Sequence, residues 1–546
     1  MNTNSLIQST HHTFEGYEIV SNQKPNKRKT FFYMFLMTIL QFAIELSFIF
    51  STMDYFAINF VKNIKLNEDY QQLLFYFLRG VLSPIIGFIV QFFCGTISDH
   101  FEFPFGRRKF FIVVGGIIWF IGRIISALSS IFPIRCFWND INPTEESGYT
   151  ISLVFYVIGY LLFTIGINMV QVAFRAFILD TFDNQYQTQI WTMISLNGEL
   201  ARLVCFTMKS VFSYIMRETN VLDSSRLAVV NVSLEIIPLT LIPLIIGLFT
   251  WKIKEEPYLS DKLTLKEYIK NVWSSCKSTN LNIFCLWIVL FFSWLAYFAF
   301  EGTTLTRYYD YLFEGCDYSE VTLIEKVHSF GASTFAVIVA IFIFFFNKRL
   351  DIFYIISLCC FGLSSIAFYF PGNFAFEPNE NESTNELYNE KCMFGNEIVS
   401  YHFKILIPLI FSHIVHVFIN SYPFSLIRSI TETNKFGFVV GVVNAAVIFG
   451  QILSSILYIV MRTLAIVNNY ENSLPLYDED ILKTSSYFMM FELPLSMIAV
   501  IVSLSLVYLR KIDPKNLRPD YDNFAENQLN ELMEMDDLDD SQILKK

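Results

Sequence analysis

A few ionisable side chains lie inside long apolar runs: Glu45, Arg123, Arg175, Asp180, Glu199, Arg202, Glu301, His413 and His416, with Asp310 at the edge of its run. An ion at the centre of a bilayer costs on the order of 2.5–3.5 kcal/mol on insertion scales, so each needs a reason to be there. The chemistry open to such groups is proton carriage and hydrogen bonding to a solute. Glu199 and Arg202 are three apart, share a helix face and can neutralise each other. A structural ion pair, a charge gate and part of a proton relay all fit that spacing. His413 and His416 are one turn apart; imidazoles titrate near neutrality, so proton handling is open to them, as is plain packing between helices. Glu45, within Gln41-Phe-Ala-Ile-Glu45-Leu-Ser, has no partner in its own helix. It is long enough to reach a solute, a proton or another helix across a cavity. Arg175 and Asp180 are five apart, about 140° round a helix, and so face different neighbours.

The elements that carry these residues are membrane spans. Apolar segments run over roughly 31–52, 73–96, 110–131, 152–179, 189–214, 229–251, 282–306, 329–347, 351–371, 403–426, 437–463 and 486–509, each near the length a span needs. The fold class predicted is therefore an all-α polytopic membrane protein of twelve transmembrane helices in two six-helix bundles. Residues 1–30 form an N-terminal tail, 31–251 the first bundle, 252–281 a polar linker, 282–509 the second bundle and 510–546 an acidic tail. With both termini cytoplasmic, the inner segments hold about twice the Lys and Arg of the outer ones. Lys27–Lys29, Arg107–Lys109, Lys348–Arg349 and Arg510–Lys511 all fall inside. A basic loop after the second span of each half is the mark of a parallel internal repeat.

Only 16% of residues are charged, against about a quarter in soluble domains. The net charge of −11 comes partly from the stretch Asp520–Asp540 and excludes nucleic acid as a partner. The nine cysteines show no metal-like spacing. Cys316 and Cys392 fall on outer loops and can pair or stay free; Asn381-Glu-Ser on the outer loop 372–401 is a glycosylation sequon. The first 30 residues lack a signal-peptide core. No protease, hydrolase or P-loop motif is present, so neither an enzyme, a cofactor nor an ATP-driven pump is expected.

The order Gly95-x-x-x-Asp99, then Gly106-Arg107-Arg108-Lys109, resembles the loop between helices two and three of major facilitator transporters. Phe105-Gly-Arg-Arg-Lys-Phe-Phe-Ile resembles its sucrose-transporter branch, the glycoside–pentoside–hexuronide family. Asn168-x-x-Gln171-x-x-x-Arg175-Ala176-x-x-x-Asp180 is similar to that family's fourth helix, and Ser421-Tyr-Pro423-Phe424 and Gly441-Val-Val-Asn444 through Gln451 to its tenth and eleventh. The resemblance implies a gate at Gly95, Asp99, Gly106, Arg107 and Arg108, and proton coupling at Asp180 and Arg175, joined by Glu45. It implies solute contacts at Glu45, Gln171, Asn444, Gln451 and Glu301. The seventh helix departs from the plant pattern: Thr304 and Thr306 stand where two aspartates are usual, and Asp310-Tyr311 where Arg-Glu is usual.

The expectation is a secondary carrier, a proton-coupled sugar symporter in the plasma membrane or an organelle membrane, acting as a monomer with solute, proton and lipid as partners. A carrier-like sensor and a carrier of a non-sugar solute are the alternatives.

Overall fold

The computed structural model describes residues 27–48, 77–100, 106–129, 145–182, 184–218, 239–250, 281–302, 318–345, 350–364, 398–431 and 435–471, with 74, 497, 498 and 500. The helices are α1 (Lys27–Met37), α2 (Ser83–His100), α3 (Arg107–Leu128), α4 (Glu145–Thr181), α5 (Asn184–Glu218), α6 (Leu239–Thr250), α7 (Leu281–Tyr297), α8 (Tyr318–Phe345), α9 (Leu350–Ser364), α10 (Ile398–Ile430) and α11 (Phe436–Glu471). Seven helices among the described residues are long and apolar enough to cross a membrane, and the bent pair Phe31–Met37 and Ile39–Phe48 makes an eighth. Most of the expected twelfth span, the linker, both tails, the 347–349 turn, Thr304, Thr306, Asp310, Cys316, Cys392 and Asn381 lie outside the described residues, as does the side chain of Glu301.

Apolar runs become helices here because a bilayer offers the backbone no hydrogen-bond partners but its own. Large apolar side chains therefore face outward in stripes, such as Ile85, Ile89 and Phe93 on α2. The 45° bend after Met37 has a local cause. The Thr38 N–H is shared between Met34 O (3.1 Å) and Phe35 O (3.2 Å), and a side chain inserts at that point: Asn197 on α5 donates to Phe35 O (3.2 Å) and to Thr38 Oγ1 (2.7 Å). Two π-helical turns, Leu78–Leu82 leading into α2 and Phe298–Gly302 ending α7, both lie against α11.

Contacts within the first half are dominated by α3 on α4. Gly115 and Gly122 on α3 face Gly159 and Gly166 on α4, so the backbones meet directly: a Cβ on Gly159 would strike the backbone of Gly122 and Ser126. Small residues at such spacing let membrane helices approach closely. Between the halves the contacts are α2 with α11, α5 with α8 and α10, and α4 with α11.

The glycine seam makes a prediction. Gly166→Leu, whose Cβ would meet the backbone of Trp119 and Gly115, lowers stability by about 1–3 kcal/mol. Gly331→Leu, where a Cβ meets nothing within 4 Å, leaves the melting temperature in detergent unchanged.

Candidate gate and solute site

Asp99 ends α2 and is fully buried. Its Oδ1 accepts from Arg108 Nη2 (2.6 Å) and from the Gly437 N–H (3.0 Å), and its Oδ2 accepts from the Phe438 N–H (2.8 Å). Gly437 and Phe438 open α11, so the carboxylate of one half caps the bare N–H groups and positive dipole end of a helix in the other. Arg108 also donates to Ser98 Oγ and, through Nε, to Asp180 Oδ2 (2.9 Å), which takes a second bond from Arg107 (3.1 Å). Gly106, at φ 99°, starts α3 in a backbone conformation that side chains resist and so aims Arg107 and Arg108 at α2 and α4. Gly95 and Gly437 are in backbone contact; a Cβ on Gly437 would also lie 2.7 Å from Arg108 Nη1 and Asp99 Oδ1. At the same end of the bundle, Arg428 on α10 donates to Leu179 O on α4, and Phe31 meets Phe344 of α8 edge-on at 5.0 Å.

One to two turns deeper, about 10 Å by helical rise, Arg175 of α4 donates to Asn444 Oδ1 of α11. Its guanidinium lies 4.6 Å over the Phe424 ring, which stacks on Trp191. Beside it Gln91 of α2 donates to Asn168 (2.6 Å) and Gln171 (3.0 Å). Contrary to the expectation that its own helix offers it no partner, Glu45 accepts from Gln41 one turn earlier (3.0 Å), a side-chain amide long enough to reach i+4; it also packs against Gly198 and lies within electrostatic reach of Arg175. Gln41 Oε1, Gln91 Oε1, Arg175 Nε and Asn444 Nδ2 are buried with no hydrogen-bond partner among the described residues.

Deeper again, Glu199 of α5 accepts from His416 Nδ1 (2.7 Å) and meets His413 Nδ1 (2.9 Å), both from α10, with Arg202 Nε at 3.8 Å. Arg202 donates to the Tyr297 hydroxyl (2.8 Å) and contacts His416 Nε2 (3.1 Å).

The expected residues thus fall into separate places. Asp99, Arg107, Arg108 and Asp180 form one ion network, while Arg175, facing away from Asp180, joins Asn444. Gln451 does not join Asn444: it donates to Arg79 O (3.4 Å) at the π-turn before α2. The widened backbone there offers its carbonyl to a passing amide. The pair Glu199–Arg202 is the edge of a larger cluster with α10, which i,i+3 spacing within one helix could not disclose. Sequence reasoning does not single out Gln91, Ser98, Tyr297 or Asn420, the last of which meets His416 Nε2 at 2.9 Å. Gln91 had a signal, being the lone amide in the apolar run before Cys94.

A family model described as PUCC protein matches residues 83–368, more than half of the chain. The chain belongs to the PUCC protein family. The membrane-associated transporter proteins of Mus musculus and Homo sapiens are 26% identical over 118 residues, 20% of this chain and 20% of each relative. The match therefore spans about a fifth of those relatives' length. Among solved structures, a bacterial homologue of the iron transporter ferroportin in an outward-facing state has a TM-score of 0.53 at 12% identity, covering 87% of this chain and 99% of its own. The major facilitator transporter FucP in the outward conformation gives 0.51 at 9% identity, covering 87% and 98%. The D-xylose–proton symporter gives 0.50 at 15% identity, covering 87% and 96%. The fold is that of the major facilitator transporters, and the seven to eight apolar spans among the described residues make the chain an integral multi-pass membrane protein.

The ion network around Asp99 sets an expectation for Arg108→Gln. It leaves Asp99 and Asp180 without their shared cation, and truncating one partner of a buried pair costs about 3–5 kcal/mol. Hydrogen exchange at residues 95–99 and 436–441 should rise at least tenfold while α3 and α4 stay protected.

Proposed function

We propose that this protein is a proton-coupled sugar carrier of the sucrose-transporter-like kind, working by alternating access. The basic loop is cytoplasmic, and the closed network of Asp99, Arg108 and the α11 N-terminus shuts the cytoplasmic side. The observation that carries the sugar reading is the set of unpartnered buried atoms on the Ile39–Phe48 helix, α2, α4 and α11. Two are acceptors, on Gln41 and Gln91, and two are donors, on Arg175 and Asn444. Buried polar atoms are nearly always paired, and a polyol supplies both functions from every hydroxyl. Glu45 and Gln171 border the same region and add a carboxylate and an amide for vicinal hydroxyls. Gln451 and Glu301 are assigned to the far rim of the solute path.

Asp180 belongs to the gate in this scheme: neutralising it releases Arg107 and the Nε of Arg108, leaving Arg108 held by Asp99 alone among the carboxylates, so protonation there favours opening toward the cytoplasm. The Asn381 sequon, glycosylated, marks the outer face.

The test is counterflow and uptake of a panel of labelled sugars in proteoliposomes, with and without an acid-outside gradient. At least one sugar should exchange, and the gradient should raise its accumulation at least several-fold. Counterflow of no sugar, with flux of another solute, overturns the sugar reading. Glu45→Ala should abolish flux, and Glu45→Gln should keep exchange but lose most gradient-driven accumulation, because an amide accepts hydrogen bonds but takes no proton. Wild-type flux in Glu45→Ala removes the side chain from the site.

A further inference from the structure

The cluster around Glu199 is not used by the gate or by the solute site, yet it joins the two halves at mid-depth. Glu199 and His413 are fully buried, and His416 nearly so. The hydrogen-bond directions around His416 are fixed by its neighbours. Arg202 Nη2 (3.1 Å) and Asn420 Nδ2 (2.9 Å) both approach Nε2. A guanidinium can only donate. The Asn420 nitrogen is identified by its second bond, to His416 O at 3.0 Å. Nε2 is therefore an acceptor, and the ring's single proton lies on Nδ1, donated to Glu199 Oε1 at 2.7 Å. Tyr297 stacks on the ring (centroids 5.1 Å apart) and Trp294 meets it edge-on (5.8 Å), which holds it against rotation.

The charged and titratable groups that meet His416 are Glu199 and Arg202 from α5 and Tyr297 from α7, with His413 one turn away on α10. From α8, Ser333 meets His413 at 3.2 Å. A second proton on His416 would sit at Nε2, against two N–H donors, one of them cationic. The closed contact between α5 and α10 and a doubly protonated His416 exclude each other. When the helices part, Glu199 and Arg202 stay together on α5 at i,i+3, so α5 keeps a neutral pair while the imidazole on α10 meets water.

Resting on the proton-coupled reading above, in which Glu45 carries a proton at the solute site, we propose that His416 is a further proton site of the transport cycle, and that it takes up its proton only when α5 and α10 have separated. The step is a proton transfer from hydronium to Nε2, giving imidazolium; the Arg202 and Asn420 N–H groups turn to water, and no other bond forms or breaks. Proton uptake at this site holds the α5–α10 contact open, and proton release lets it close.

The test needs no solute. Spin labels are placed at the lipid-facing positions Val204 (36% exposed) on α5 and Ile407 (46% exposed) on α10, in a background without native cysteines. Their distance is measured by electron–electron resonance from about pH 8 to about pH 5, the range in which an imidazole titrates. The expected result is one short distance at the alkaline end and a longer population that becomes the majority at the acid end. His416→Gln should stay short throughout, while His413→Gln keeps the response. A pH-independent distance in the otherwise native protein overturns the proposal, as does an unchanged response in His416→Gln. Either failure leaves the sugar-flux test standing and confines the proton sites to Asp180 and Glu45. A pH-responsive distance together with flux that ignores the proton gradient overturns the coupling role and the proton-coupled reading together.

Discussion

Everything at the basic end of this molecule depends on one carboxylate. Asp99 is buried, takes three hydrogen bonds from two directions, and is the group that joins α2 of the first half to the start of α11 in the second. A helix N-terminus carries roughly half a positive charge and unsatisfied N–H groups, so the second half presents a receptor for an anion built from backbone alone. The constraint then propagates. Gly437 must be glycine because a Cβ would enter the space of Asp99 and Arg108; Gly95 must be glycine because its neighbour is the Gly437 backbone. Arg108 must be long and planar to hold Asp99 through Nη2 and Asp180 through Nε at once.

Firm and breakable contacts are laid out differently. Within the first half, α3 and α4 are held by close glycine-on-glycine backbone contact. Between the halves the links are hydrogen bonds, ion pairs and ring contacts: Asp99 with α11, Arg428 with Leu179, Arg175 with Asn444, and Glu199 with the two histidines. Each can exchange its partner for water. The alternating-access carrier proposed above needs its closed and open forms within a few kcal/mol of each other. A seam of several polar links, each worth roughly 1–3 kcal/mol when charged, meets that need better than a continuous apolar interface would.

Much of this was legible in the sequence. The spans follow from apolar run length, and described helices fall on eleven of the twelve expected segments because backbone satisfaction in lipid leaves no competing structure. The basic loop was readable because Gly106, Arg107 and Arg108 follow Asp99 closely along the chain. Partners far apart in sequence were not. Nothing local to Gly437 says that its N–H will meet a carboxylate of α2, and nothing in Gln451 says that it will turn to Arg79 instead of sharing a site with Asn444. Helical periodicity tells which residues share a face; it does not tell which helix that face meets. The pair Glu199–Arg202 shows the limit, since the bonds from Glu199 to His413 and His416 cross between the halves.

The central claim is that Asp99 holds the two halves together at the basic end. Its most direct measurement uses a thiol behind the closed seam. Ser195 on α5 is buried and donates to Val417 O on α10 at 3.1 Å, a contact between the halves. Ser195→Cys, in a background without native cysteines, should react slowly with a water-soluble thiol reagent added on the side of the basic loop. Adding Asp99→Asn, which removes the charge that faces Arg108 and the α11 dipole, should speed the reaction on the order of a hundredfold, the population shift that about 3 kcal/mol produces. Equal rates with and without Asp99→Asn would contradict the account.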